Sequence, residues 1–68
     1  MSEKKLRIRK LIEHWIEHND EHVKRFREAA SEAKEIELKE VADILIDASR
    51  RGEEVSEILK KSLNEFDR

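Results

Sequence analysis

Three histidines stand at four-residue spacing in the first half of the chain, His14, His18 and His22. Residues four apart on an α-helix lie about 6 Å apart along the axis and about 40° apart around it, so neighbouring members of this histidine row can direct ring nitrogens at one ion. Such a pair is a spacing with which a helix chelates Zn²⁺ or Ni²⁺. Because the outer two are separated by about 12 Å of rise, one ion takes a pair and needs further ligands from another helix or subunit.

Two acidic residues lie beside the histidine row, Glu17 and Glu21. Each is placed to add an oxygen ligand or to orient an imidazole by hydrogen bonding. The chain contains no cysteine, so a thiolate site is excluded. The sequence therefore predicts a Zn²⁺ or Ni²⁺ site drawn from His14, His18, His22, Glu17 and Glu21, with no other cofactor.

A structural interpretation of the same residues stays open. In the helical pattern described below, Asn19 and His22 take core positions, His18 flanks the core and His14 faces solvent. A buried polar residue at such a position fixes register and partner number in helical assemblies. Burial would also oppose protonation of His22, so this interpretation predicts a bundle that loosens toward about pH 5.

The apolar pattern that must position these residues predicts two long helices. In the first half the seam residues recur in steps that alternate between four and three, and in the second half they recur in steps of three and four as well. In the first half they are Ile8, Ile12, Trp15, Asn19, His22, Phe26, Ala29 and Ala33. In the second half they are Leu38, Val41, Leu45, Ala48, Gly52, Val55, Leu59, Leu63 and Phe66. The phase breaks between Ala33 and Leu38, which predicts a turn there and helices over about 3–33 and 37–66.

The single glycine, Gly52, lies on the second seam without shifting its phase. We therefore expect a continuous helix in which this glycine permits a close approach, at a cost of about 1 kcal/mol in helix propensity. The alternative is a three-helix arrangement with a turn at Gly52. Arg50-Arg51 and Glu53-Glu54 favour that alternative, because they stand where the dipoles of two separate helix ends attract such charges.

Composition limits the chain to one small all-α domain, residues 1–68. Of its 68 residues, 37% are hydrophobic and 47% are charged. A hairpin of two helices leaves half of each apolar seam exposed to water. Two hairpins that face each other would bury both seams as a four-helix bundle. We therefore expect a homodimer. The sequence has no apolar run of about eighteen residues and no signal-peptide pattern, so it predicts a cytoplasmic protein without membrane insertion.

The charge distribution argues against a dedicated nucleic-acid binder. Residues 1–34 carry nine basic and seven acidic side chains, and residues 35–68 carry six and ten, for a net charge of −2. A basic cluster near the start leaves weak nucleic-acid binding as a third hypothesis; its members are Lys4, Lys5, Arg7, Arg9 and Lys10. No serine stands beside a glycine-rich turn or an evident base, and we expect no enzymatic activity.

The segment from His14 to His22 has the form H-W-I-E-H-N-x-x-H. With Val41-Ala42-Asp43, this segment resembles small uncharacterised helical-hairpin proteins, mostly archaeal, that share an H-W-x-x-H-N-x-x-H motif. Some of them resemble domains attached to nickel or cobalt uptake proteins, and the resemblance therefore implies metal binding. It also implies a further histidine in the second helix, at the position of Ile58, and this departure argues against a four-ligand site within one chain.

Together these observations favour a non-enzymatic helical-hairpin homodimer that binds a transition metal through the histidine row. The alternative is a structural or adaptor dimerisation module without a ligand.

Overall fold

The computed structural model describes residues 2–66 as two long helices joined by a short turn. Helix α1 spans Glu3–Glu35 and α2 spans Lys39–Phe66, and the described residues contain no strand. The all-α hairpin is confirmed, with helix ends within two residues of those predicted. Helix α2 continues through Gly52, so the three-helix alternative is wrong.

Both ends of α1 are capped. The Ser2 side chain accepts a hydrogen bond from the Lys5 backbone N–H at 3.1 Å, as an N-cap serine does. At the other end, the Leu38 N–H donates to the Ala33 carbonyl at 2.8 Å and the Glu37 N–H donates to the Lys34 carbonyl at 3.1 Å. These two bonds form a Schellman motif, which satisfies carbonyls left over at a helix end. The motif ends α1 and turns the chain back on itself.

Contacts between the helices show that they run antiparallel. Asn19 lies against Gly52 and Ser56, while Ala30 packs near the start of α2 against Ala42. The interhelical contact follows a heptad pattern, whose inward positions are conventionally labelled a and d. On α1 these positions are Arg9, Ile12, Ile16, Asn19, Val23, Phe26, Ala30 and Ala33. On α2 they are Ala42, Leu45, Ser49, Gly52, Ser56, Leu59, Leu63 and Phe66.

Small side chains dominate the a positions of α2. Ala42, Ser49 and Ser56 are buried, with Ser49 only 1% exposed. The Ser49 hydroxyl donates to the Ile46 carbonyl at 2.7 Å within its own helix, so its burial leaves no polar atom unsatisfied. Short side chains let the two helices approach closely. Gly52, at a d position between Ser49 and Ser56, has no side chain and allows the closest approach.

The predicted seams are wrong by one heptad position. Their d residues do face the opposite helix, as does Leu63 at an a position, but their remaining members occupy g positions, which border the d row on one side. Trp15, Val41 and Val55 at these g positions are 45–48% exposed, and His22, predicted to be buried, is exposed as well. The physical reason is that the small a residues of α2 allow closer packing of the backbones than the bulky g residues would.

The hairpin is a slab whose Cα atoms extend over 53 × 15 × 11 Å. Neither described helix combines the length and apolar character needed to cross a membrane.

Candidate functional site

The histidine row forms a ladder of rings along the solvent-exposed surface of α1. The ring centroids of His14 and His18 are 5.7 Å apart, and those of His18 and His22 are 4.9 Å apart with the rings stacked. The ladder continues to Phe26, whose ring stacks on His22 at 6.2 Å. Four-residue spacing on a regular helix produces this arrangement directly.

The three imidazoles differ in direction. His22 is at a g position beside the interhelical contact, His18 is at the neighbouring c position, and His14 is at an f position that points away from α2. The predicted order of the three histidines, with His22 nearest to the interhelical contact and His14 farthest from it, is therefore correct. The predicted burial of His22 is wrong. No imidazole comes from α2, because the position where the resemblance implies one holds Ile58, which is 62% exposed.

Only part of the predicted ligand set comes together. His14, His18, Glu17 and Glu21 line one shallow, open depression on α1. Among residues 2–66, however, no three histidine or acidic side chains are grouped closely enough to hold one metal ion. A metal bound by a single hairpin would thus have a histidine pair as its protein ligands, with water completing its coordination.

A polar network missed by the sequence analysis crosses the middle of the helix contact. The Asn19 side-chain amide donates to the Gly52 carbonyl at 2.7 Å and to Ser56 Oγ at 2.8 Å. The Ser56 hydroxyl in turn donates to Asp20 Oδ1 at 2.5 Å. Asn19 was predicted as a polar core residue, and this part is confirmed. Ser56 and Asp20 carried no signal in the sequence, because neither lies on an apolar stripe.

One broad side of the hairpin carries large apolar side chains exposed to solvent. It consists of the g and c positions of both helices, which meet on the same side when two helices run antiparallel. We call it the apolar face. Its large members are Ile8, Leu11, Trp15, Val41, Ile44, Val55 and Ile58, each 38–69% exposed. His18 and His22 lie on the same face, between Trp15 and the turn that ends α1.

Charged groups lie on both broad sides of the hairpin. On the side opposite the apolar face, Arg27 of α1 forms an ion pair with Glu53 of α2. On the apolar face itself, the Arg51 guanidinium donates a hydrogen bond to the Asp47 carboxylate at 3.0 Å. That bond and the attraction of the carboxylate raise the pKa of Arg51 above its usual value.

The basic cluster at the start of α1 is largely solvated. Lys4, Lys5, Arg7 and Lys10 are exposed, and Arg9 lies 3.8 Å from the Glu13 carboxylate. Nothing in this geometry concentrates the cations on one groove or strip. Nucleic-acid binding stays a prediction from the sequence.

Residues 8–66 match the family model described as a domain of unknown function, DUF8180. The chain belongs to this family. It is also 44% identical over 54 residues to an uncharacterized protein of Archaeoglobus fulgidus, covering 79% of this chain and 86% of the relative. No solved structure matches the chain. The expected similarity to small uncharacterised proteins, one of them archaeal, is confirmed; the shared histidine motif stays a prediction.

Proposed function

We propose that this chain is a non-enzymatic structural module that acts by pairing with a second copy of itself, so that two hairpins form a four-helix bundle. The observation that carries this proposal is the apolar face, where seven large apolar residues, among them the only tryptophan of the chain, are 38–69% exposed. Contiguous exposed apolar surface on this scale is typical of interaction sites.

The direction of the apolar stripe supports a bundle. Within the hairpin the helices meet through a and d positions, yet the bulky side chains are centred between d and g. The stripe of each helix thus points midway between the neighbouring helix and the apolar face. In a four-helix bundle, the axis of the bundle lies in that direction. The stripe is therefore placed for a helix that packs against two neighbours, one in its own chain and one in a second copy.

The size of the face fits a second hairpin. Its length and width follow from the Cα dimensions of 53 and 15 Å. A rectangle of that size covers about 800 Å², close to what each partner of a stable dimer buries. A two-fold dimer uses the same patch on both subunits, and an apolar slab is complementary to itself.

The opposite side of the hairpin is built for solvent. Its e and b positions are mostly charged or polar on both helices. They are Leu6, Lys10, Glu13, Glu17, Asp20, Lys24, Arg27, Ser31 and Lys34 on α1, and Lys39, Asp43, Ile46, Arg50, Glu53, Glu57, Lys60 and Asn64 on α2. Between the two broad sides formed by residues 2–66, the apolar face therefore gains more from leaving water.

Sedimentation over a range of protein concentrations tests the proposal. The wild-type chain should sediment as a two-hairpin species at micromolar concentration and dissociate on dilution. Ile58→Glu places a charge on the apolar face at a residue 62% exposed within the hairpin, so it should abolish pairing while the helical circular dichroism is retained. A wild-type chain that stays a single hairpin at millimolar concentration would contradict the proposal.

A second candidate function is Zn²⁺ or Ni²⁺ binding by the histidine row. The specific observation is the ring spacing, since the centroids of 4.9 and 5.7 Å allow a neighbouring pair to turn nitrogens toward one ion. The depression that His14 and His18 share with Glu17 and Glu21 supplies nearby carboxylates. His14 points away from the apolar face, whereas His18 lies on it, so the pair His14–His18 is fully accessible only in the unpaired hairpin.

Trp15 fluorescence reports on this second function because Trp15 follows His14 directly in α1. Stoichiometric Zn²⁺ or Ni²⁺ should change the emission and raise the melting temperature; a free ion at 100 times its Kd stabilises the fold by about 2.7 kcal/mol. His18→Ala removes both neighbouring pairs and should abolish the response. His14→Ala leaves the pair His18–His22 and serves as the matched variant. Unchanged emission and melting of the wild type would exclude the site.

A further inference from the structure

The broad side opposite the apolar face contains a cavity close to the turn. The cavity has a volume of about 370 Å³ and opens to solvent between the two helices. Its apolar lining consists of Ala30, Ala42 and Ile46, and the two alanines are only 2% and 5% exposed. Because each alanine contributes only a methyl group, the side chains leave this volume unfilled. Sites for small molecules begin at about 300 Å³, so the cavity has room for one small organic molecule.

The polar lining of this cavity is mostly basic. It consists of Arg27, Ser31 and Lys34 from α1, and Lys39 and Asp43 from α2. The Arg27 guanidinium is already paired with the Glu53 carboxylate. In contrast, neither the Lys34 nor the Lys39 ammonium group forms an ion pair within residues 2–66. These two lysines are therefore the groups that are free to bind an anion.

Helix stability does not account for the charge of Lys39. Lys34 lies in the last turn of α1, where the helix dipole favours a cation. Lys39 is the first residue of α2, where the dipole opposes one. A residue that breaks a local rule in this way is expected at functional sites. An anion beside the Lys39 ammonium group would offset the unfavourable charge.

The charges around the cavity indicate how many negative charges the ligand carries. The positive charges are those of Arg27, Lys34 and Lys39. The negative charges are those of Asp43 and of Glu53, the partner of Arg27. Three positive and two negative charges leave one positive charge without a counterpart, so a single negative charge balances the set. A carboxylate meets this requirement, whereas a doubly charged phosphate ester would be repelled more strongly by Asp43.

We propose that this cavity binds a small organic anion with one carboxylate and an unbranched apolar body. The carboxylate binds Lys34 and Lys39, and the apolar body covers the methyl groups of Ala30 and Ala42. The Ser31 hydroxyl has a proton to donate to the same carboxylate. The site lies on the side opposite the apolar face, so it stays open when two copies pair. It depends neither on that pairing nor on a metal ion.

Titration with hexanoate at constant ionic strength, followed by amide NMR, tests the proposal. The signals of Ala30, Ala42 and Ile46 should shift with a Kd of about 1 mM, because the lysines are exposed and the cavity is open. Between acetate and hexanoate, each added methylene should lower the Kd about twofold, which is half the effect of complete burial. Hexanamide has no charge and should bind at least about threefold more weakly.

The double variant Lys34→Gln/Lys39→Gln removes the two free positive charges and should raise the hexanoate Kd at least about threefold. Lys24→Gln/Lys61→Gln is the matched control, because it removes two exposed lysines that lie outside the cavity. It should keep the wild-type Kd, and both double variants should keep the helical circular dichroism.

Three results would overturn the proposal. They are an equal Kd in the two double variants, equal binding of hexanamide and hexanoate, and hexanoate shifts that are absent or confined to the apolar face. None of them bears on the pairing of two copies, which sedimentation measures separately.

Discussion

At the scale of single residues, Gly52 decides how closely the helices meet. It lies in the interior of α2, where glycine costs about 1 kcal/mol relative to alanine. A Cβ at this position would lie 2.5 Å from Val23 Cγ2, inside contact distance. The Gly52 carbonyl also accepts the Asn19 hydrogen bond at 2.7 Å, which needs the same close approach.

Gly52→Ala should therefore destabilise the protein despite its better helix propensity. Val23 is 5% exposed and has little room to move, and overpacking a filled core costs about 1–3 kcal/mol. We expect the free energy of unfolding in urea to fall by about 1 kcal/mol after the propensity gain is subtracted.

Val23→Ala provides the control for this prediction. In that background the new methyl group meets empty space, so Gly52→Ala should stabilise the fold by about 0.5–1 kcal/mol. The two variants would thus show strong coupling in a double-mutant cycle. Equal effects of Gly52→Ala in both backgrounds would show that close contact with Val23 is not the reason for the glycine.

At the scale of the elements, the turn between α1 and α2 is made without glycine, proline or asparagine. Glu37 takes the left-handed conformation that the Schellman motif requires, with φ of 65°. A glycine usually fills this position because any Cβ is crowded there. The turn is held by its two backbone hydrogen bonds and by the packing of Ala33 against the start of α2.

Glu37→Gly should consequently stabilise the hairpin. Removing the Cβ relieves the left-handed strain, and the added freedom of the unfolded chain offsets part of that gain. The expected net gain is about 0.5–1 kcal/mol in the free energy of unfolding. Glu35→Gly makes the same change two residues earlier, inside α1, and should lower the stability. A loss of stability in both variants would contradict the proposed role of residue 37.

At the scale of the whole molecule, the hairpin has one apolar and one charged broad side. The prediction that two copies pair belongs here, because neither helix alone forms the apolar face. The chain offers a matched comparison near the start of α1, where Leu6 and Ile8 are each 46% exposed but lie on opposite sides. Ile8→Lys should weaken pairing measured by sedimentation, while Leu6→Lys should leave it close to wild type. Equal weakening by both would point to fraying of α1 instead.

The sequence by itself determined the two helices, their antiparallel return near residue 37 and the continuity of α2. These features depend on local propensity and on the period of the apolar pattern, which a chain carries without reference to its partners. Asn19 was also identifiable as a polar core residue, because it interrupts an otherwise apolar row.

Only the tertiary structure decided which half of each apolar stripe meets the other helix. The d row belongs to the contact in either case, and the row that joins it is either the a row or the g row. Because the d and g rows are both apolar, periodicity alone cannot decide between these two possibilities. The choice went to the a row because Ala42, Ser49 and Ser56 of α2 are small enough for close backbone approach. That choice leaves Trp15 and the histidine row on the surface, where the sequence had placed His22 in the core.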